Sequence, residues 1–371
     1  MTSAAILRAT KLPLSGPYPT LDPFLFCVYH KDEYPADESG GKMEITTFPG
    51  NGSDFNPHAP YRMYHGHHIP GFPQHPHRGF ETITATMEGL IDHADSVGNA
   101  GRYGEGDVQW MTAGGGVVHG EMFPLVHAHK PNHLRLFQIW LNLPAKSKMV
   151  KPSFAMFWNS DIPIYKTPNE KAIVTVWAGN YFLGDDTDVT QNSPPPDSWA
   201  ANPNNDVAVL HITIQPGGSI VIPKANNSDI SGINRSLYLI EGHTSNIKVD
   251  GKIINEKVCL TMDATKDIPI ELDDDNQQAA AATTNNEEEE VQFLLLQGKP
   301  IDEPVAQHGP FVMNTQSEIR DAFMDYQRTQ FGGWPWPKDD MVFPQEKGRF
   351  ALIDGKETRP PPLASTESCT R

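Results

Sequence analysis

Cysteine is scarce in this chain of 371 residues. Three cysteines, Cys27, Cys259 and Cys369, are too few and too scattered to frame a disulfide-stapled fold. Such thiols are expected to stay reduced in an intracellular protein. Long apolar runs are missing as well: nothing approaches the ~20 apolar residues of a membrane span. Residues 1–19 hold no apolar stretch fit for the core of a secretory signal, although so mild a start leaves an organellar transit peptide open. Basic residues are outnumbered, 29 Lys and Arg against 46 Asp and Glu. The resulting formal charge of −17 excludes broad electrostatic binding to nucleic acid or anionic membrane, but not contact with a basic protein partner. These absences describe a soluble cytoplasmic or nuclear protein, monomeric by default.

Helical periodicity is nearly absent too. One segment, residues 316–330, carries it: Thr315 and Glu318 fit a capping box, Ile319, Ala322, Phe323 and Tyr326 form an apolar stripe, and Gly332-Gly333 is expected to end the helix. Elsewhere 33 prolines and 30 glycines punctuate short β-branched and aromatic runs, which favours an all-β design. Strands are expected at residues 80–87, 108–112, 117–119 and 134–143 of the first half, and at 173–177, 207–214, 219–222, 237–240 and 291–296 of the second. The stretch 144–154 looks like a connector, 192–205 like a Pro/Asn-rich loop, and 273–290 like an acidic insertion with little to bury. From about residue 355 a frayed tail is expected. The length suits two domains, and the similar punctuation of the two halves hints at a duplicated barrel.

What the chain does have is a pair of short histidine motifs, His75-Pro76-His77 and His119-Gly120-Glu121. Residues i and i+2 of a strand share a face, so two such strands facing each other offer three imidazoles and a carboxylate. That set suits a non-haem metal with open positions. The Gly114-Gly115-Gly116 turn lets the second strand approach closely. Glu81, at an even offset from His77, competes with Glu121 for the carboxylate position if the strand is regular, and strand parity alone does not decide between them. Arg78 points to the opposite face and reads as structural. His65, His67 and His68 sit among Gly66, Pro70 and Gly71 and read as a solvated or lid-like loop. Gln138 and Trp140 share a face of the long strand and can line a pocket, with buried core the default for Trp140. His211 has no companion two residues away and reads as structural.

At these residues the chain resembles the pirin family of the cupin superfamily. The matching stretches are HPHRGFETIT (75–84), GDVQWMTAGGGVVHGEM (106–122), LFQIWLNLPAKSKMVKP (136–152) and GKPIDEPVAQHGPFVMNT (298–315). Gly120 stands where many relatives have Ala or Ser, on a side expected to face away from the metal. The resemblance implies two tandem cupin (jelly-roll) barrels and a short C-terminal helix. A metal-binding barrel would occupy 1–150, a metal-free one 151–340 with the acidic insertion at 273–290, and a tail 341–371. It implies one Fe(2+), or another divalent metal, held by His75, His77, His119 and Glu121, with Glu81 left as a residue behind the ligands. It further implies a quercetin 2,3-dioxygenase-like oxidoreductase that takes a flavonol and O2, with Glu121 as the catalytic base. The alternative it offers is an iron-dependent transcriptional co-regulator acting through protein contacts.

Overall fold

Along the strands of the second half, alternate side chains enter two different cores. In Asn234–Glu241, Leu237 and Leu239 fill a barrel interior while Tyr238 and Ile240 face the other half of the chain. Ala208–Ile214 repeats this with Leu210 and Ile212 inside and Val209 outside, and Val291–Gly298 with Phe293 and Leu295 inside and Leu294 outside. The period of two therefore serves two apolar faces at once. The outward face meets Ile83, Trp110, Phe137 and Ile139 of the first half, so the two barrels share an apolar seam.

This computed structural model describes residues 4–184, 188–191, 193–226, 232–242, 247–273 and 290–362. The first barrel sets a five-stranded sheet (Ser153–Phe157, Val108–Thr112, Phe80–Glu88, Asn132–Asn142, Phe24–Tyr34) against a six-stranded one (Lys356–Thr358, Phe350–Ile353, Ala100–Gly104, Leu90–Asp95, Val117–Met122, Gly71–His77). The second sets seven strands (Ile6–Lys11, Val258–Met262, Asn234–Glu241, Val291–Gly298, Ala208–Ile214, Ala172–Ala178, Ile164–Lys166) against four (Ser219–Ile222, Ile268–Leu272, Ile247–Val249, Lys252–Ile254). The fold is the expected all-β pair of barrels. The expected loop at 192–205 contains two short 3-10 turns, Trp199–Ala201 and Pro203–Asn205, and most of the acidic insertion at 273–290 lies outside the described residues. No helix among the described residues is long and apolar enough to cross a membrane.

The helix runs over Gln316–Thr329 with both halves of the capping box formed. It stops one residue earlier than expected, because Gln330 and Phe331 themselves take the left-handed conformation before the glycines are reached. Two other glycines are needed where they stand. At Gly79 (φ 87°) a Cβ would lie 1.9 Å from the Val312 carbonyl, and at Gly116 (φ 127°) it would lie 2.7 Å from the Phe331 ring. Both positions let the segment around the helix close down on the first barrel.

The chain ends cross between the halves. Ile6–Lys11 is an edge strand of the second barrel, and Phe350–Ile353 with Lys356–Thr358 completes a sheet of the first. The expected tail therefore starts later than residue 355. Asp354 (φ 49°) and Gly355 (φ 79°) form a two-residue hairpin turn, and Phe350 packs against Ala100 and Phe343. A buried ion pair fastens this hairpin segment. Arg102 donates from Nε and Nη2 to the two Asp92 carboxylate oxygens, both at 2.7 Å, and also donates to the carbonyls of Phe343, Pro344 and Lys347. Removing one partner strands a buried charge, which costs about 3–5 kcal/mol. Arg102→Ala should therefore lower the urea-unfolding free energy by that amount and make residues 343–358 the first site of proteolysis. A loss under 1 kcal/mol would remove the pair from this role.

Candidate metal centre

The His75 strand (Gly71–His77) and the His119 strand (Val117–Met122) pair antiparallel, with His75 opposite His119 and His77 opposite Val117. A bulge at Pro73 and Gln74 interrupts the ladder before His75 and resets the face that the following residues present. Pro73 has no N–H to lose from the ladder, and the Gln74 N–H donates to the Asp339 carbonyl at 2.9 Å. The bulge is thus secured from the C-terminal segment. The result brings one ligand atom each of His75, His77 and His119 within 4.8 Å of one another. The Nε2 atoms of His75 and His77 stand 3.1 Å apart. His75 donates its Nδ1–H to the Pro73 carbonyl at 2.9 Å, which turns Nε2 inward.

Glu121 sits on the same face, its Oε2 3.9 Å from His119 Nε2. Residues of three other strands hold the carboxylate. Gln138 Nε2 donates to Oε2 at 2.9 Å, while Thr84 Oγ1 (3.2 Å) and Tyr103 OH (3.5 Å) reach Oε1. Thr84 and Gln138 are cross-strand partners, so their approach to Glu121 follows from register. Behind His119 lies His93, whose Nε2 is 3.2 Å from Asp95 Oδ2. Sequence reasoning singled out none of Thr84, Tyr103 or His93. The pair His93-Ala94-Asp95 has the same i,i+2 signature as the two motifs and was the available signal.

Burial governs the electrostatics. It pushes His75 down to about 4 and His77 and His119 well below the usual imidazole value, so all three are neutral with lone pairs available. It raises Glu121 above the usual carboxylate range, against the opposing influence of His93, Gln138, Thr84 and Tyr103. Both His119 nitrogens are buried without a hydrogen-bond partner among the described residues. Buried polar atoms without partners are rare. Three desolvated imidazoles converging beside a carboxylate fit a divalent cation, which would take the lone-pair nitrogen of each ring.

The remaining candidates separate cleanly. Glu81 does not share the ligand face: one strand ends at His77, the chain turns at Gly79, and Phe80 begins another strand in the opposite sheet, so the even offset from His77 has no meaning. Its carboxylate instead accepts from Thr112 Oγ1 (2.7 Å) and from Ser198 Oγ (2.5 Å) of the second half. Trp140 is not core. It is half-buried and lines the cleft over the histidines together with Gln138, with its ring 5.4 Å from that of His77. His65, His67 and His68 are exposed, the first two at the cleft mouth. Arg78 turns away to the Gly115 carbonyl and Asp325, and His211 stacks on Trp177 at 5.2 Å. A side chain added at Gly120 would make ordinary contact with Trp334, away from the histidines.

The fold and the site together define a two-barrel cupin with a three-histidine centre in its first barrel. Comparison with known proteins agrees: the Pirin family model matches residues 52–141, and the model of the Pirin C-terminal cupin domain matches residues 209–332. The chain is 34% identical to a pirin-like protein of Solanum lycopersicum, over 69% of this chain and 75% of that one. It is 30% identical to human pirin, over 75% of this chain and 84% of its relative. Among solved structures it matches one titled quercetin 2,3-dioxygenase from Acinetobacter baumannii, with a TM-score of 0.63 at 25% identity, covering 89% of this chain and 99% of that one. The chain belongs to the pirin family.

Two measurements follow. His119→Ala should lose at least tenfold in affinity for iron(II) or cobalt(II) while keeping the wild-type circular dichroism spectrum; undiminished binding would place the metal elsewhere. Glu81, pushed up to about 7 chiefly by burial, holds a proton in the folded chain that the unfolded chain releases near 4.5. Between those values the native state binds more protons, so its contribution to stability falls as pH rises from about 4.5 through 7, by at most about 3 kcal/mol. Glu81→Gln should flatten this slope and raise the melting temperature at pH 8. An unchanged pH profile would count against it.

Proposed function

We propose that this chain is a flavonol dioxygenase of the quercetin 2,3-dioxygenase kind, with one iron(II) held by His75, His77, His119 and Glu121. The observation that carries this is a single cleft of about 1470 Å³ in which His75, His77, Glu121 and Gln138 meet the aromatic walls of Phe72 and Trp140. A flat polyphenol suits such walls, and convergent polar groups at one end suit its hydroxyl and carbonyl. Relatives support the choice: besides the Acinetobacter structure, a Pseudomonas aeruginosa protein 31% identical over 70% of this chain carries a provisional quercetin 2,3-dioxygenase name.

A bound iron(II) would supply Lewis acidity and one-electron chemistry toward dioxygen at this end of the cleft. The chain's own residues do the rest. Glu121, raised above the ordinary carboxylate range by burial, takes the flavonol 3-hydroxyl proton onto Oε2, the oxygen nearest the histidines. Gln138, donating to that same oxygen, holds it in position before and after the transfer. Trp140 and Phe72 flank the ring system and keep water from it.

Protein reconstituted anaerobically with iron(II) should consume oxygen and quercetin together in one cuvette. Glu121→Gln should cut kcat by about 10²–10⁴-fold. A fully loaded protein that consumes no oxygen with any flavonol would refute the proposal.

A further inference from the structure

The wall of the cleft continues past the metal end in a regular way. In Phe24–Tyr34 the alternate residues Phe26, Val28 and His30 all line the cleft, and they stand opposite Trp140, Gln138 and Leu136 of the neighbouring strand. These pairs are rungs. Trp140 belongs to the His77 end and Gln138 touches Glu121, so His30 lies one rung beyond, about 7 Å farther along the strand. Phe72 spans the gap, its ring 6.0 Å from that of His30 and 6.2 Å from that of His75.

His30 is a built site rather than a chance lining residue. Its Nδ1 is 2.6 Å from Tyr64 OH, and that hydroxyl donates to Asp32 Oδ2 at 2.8 Å. Asp32 is fully buried and takes Arg62 Nε on its other oxygen at 2.8 Å. With the Tyr64 proton committed to the carboxylate, the Tyr64 oxygen accepts, and His30 must carry its proton on Nδ1. Nε2 is therefore a bare acceptor. Burial, helped by the Arg62 charge, pushes His30 down to about 3, so the ring stays neutral. Nε2 makes no hydrogen bond among the described residues, and His30 opens on the cleft.

We infer that His30 Nε2 is a second recognition point that accepts a hydrogen bond from a hydroxyl at the far end of an aromatic substrate, opposite the end that meets Glu121. The inference rests on the flavonol reading and narrows it: the preferred ligands are polyhydroxylated flavonols rather than the bare 3-hydroxyflavone skeleton. A buried acceptor left unpaired is costly, so the missing hydroxyl is felt as lost affinity.

The test is binding rather than turnover. Anaerobic protein is titrated with quercetin and with 3-hydroxyflavone, followed by quenching of tryptophan fluorescence. Wild type should bind quercetin about tenfold more tightly. His30→Phe should erase that difference, weakening quercetin by about tenfold relative to 3-hydroxyflavone. Tyr64→Phe, which keeps the imidazole but frees its tautomer, should remove part of the preference and decides the matter if His30→Phe does not fold. If 3-hydroxyflavone binds but wild type shows no preference, or the variants keep it, the inference is overturned while the flavonol reading stands. If neither compound binds wild type, both fall.

Discussion

The site depends on one register: His75 opposite His119, reached through a bulge at Pro73 and Gln74. Without the one additional residue of this bulge the pleat would present His75 and His77 to the opposite face, since a one-residue slip reverses every side chain of a strand. The bulge is locked by a backbone hydrogen bond from Gln74 to Asp339, far along the chain. Trp334, in the same segment, lies against the Gly120 position of the facing strand. Trp336 donates its indole N–H to the Asp95 carbonyl, in the strand that carries His93. The segment after residue 332, beyond the stretches matched by the family models, therefore buttresses the metal strands from outside.

Much of this was legible in the sequence. The histidine motifs were readable because strand alternation is strict, so two i,i+2 pairs already say that four polar groups share faces. The Thr315–Glu318 capping box was readable because it is local chemistry. The all-β architecture followed from dense turns between β-branched runs. Gly79 shows where such reasoning stops: a single positive φ places His77 and Glu81 in different sheets, and parity counted through it misleads.

Other features were illegible for a physical reason, namely that they are made by pairing across long separations. Nothing local says that Phe350–Ile353 joins a strand near residue 100, although Asp354-Gly355 does announce a hairpin. Trp140 reads as core in any single strand, and only its neighbours Phe26, Phe80 and His77 reveal that it closes a cleft. His30 gave no motif at all. Its role comes from Tyr64 and Asp32, the first of which arrives on a separate segment to fix its tautomer.

The central claim is that three neutral imidazoles of two facing strands converge to hold one cation. It is tested most directly by an anomalous difference map from crystals grown with iron(II) under anaerobic conditions. One strong peak within bonding distance of His75, His77 and His119, with Glu121 alongside, is the predicted result. A strong peak elsewhere with the histidine centre empty, or no peak despite excess metal, would contradict it.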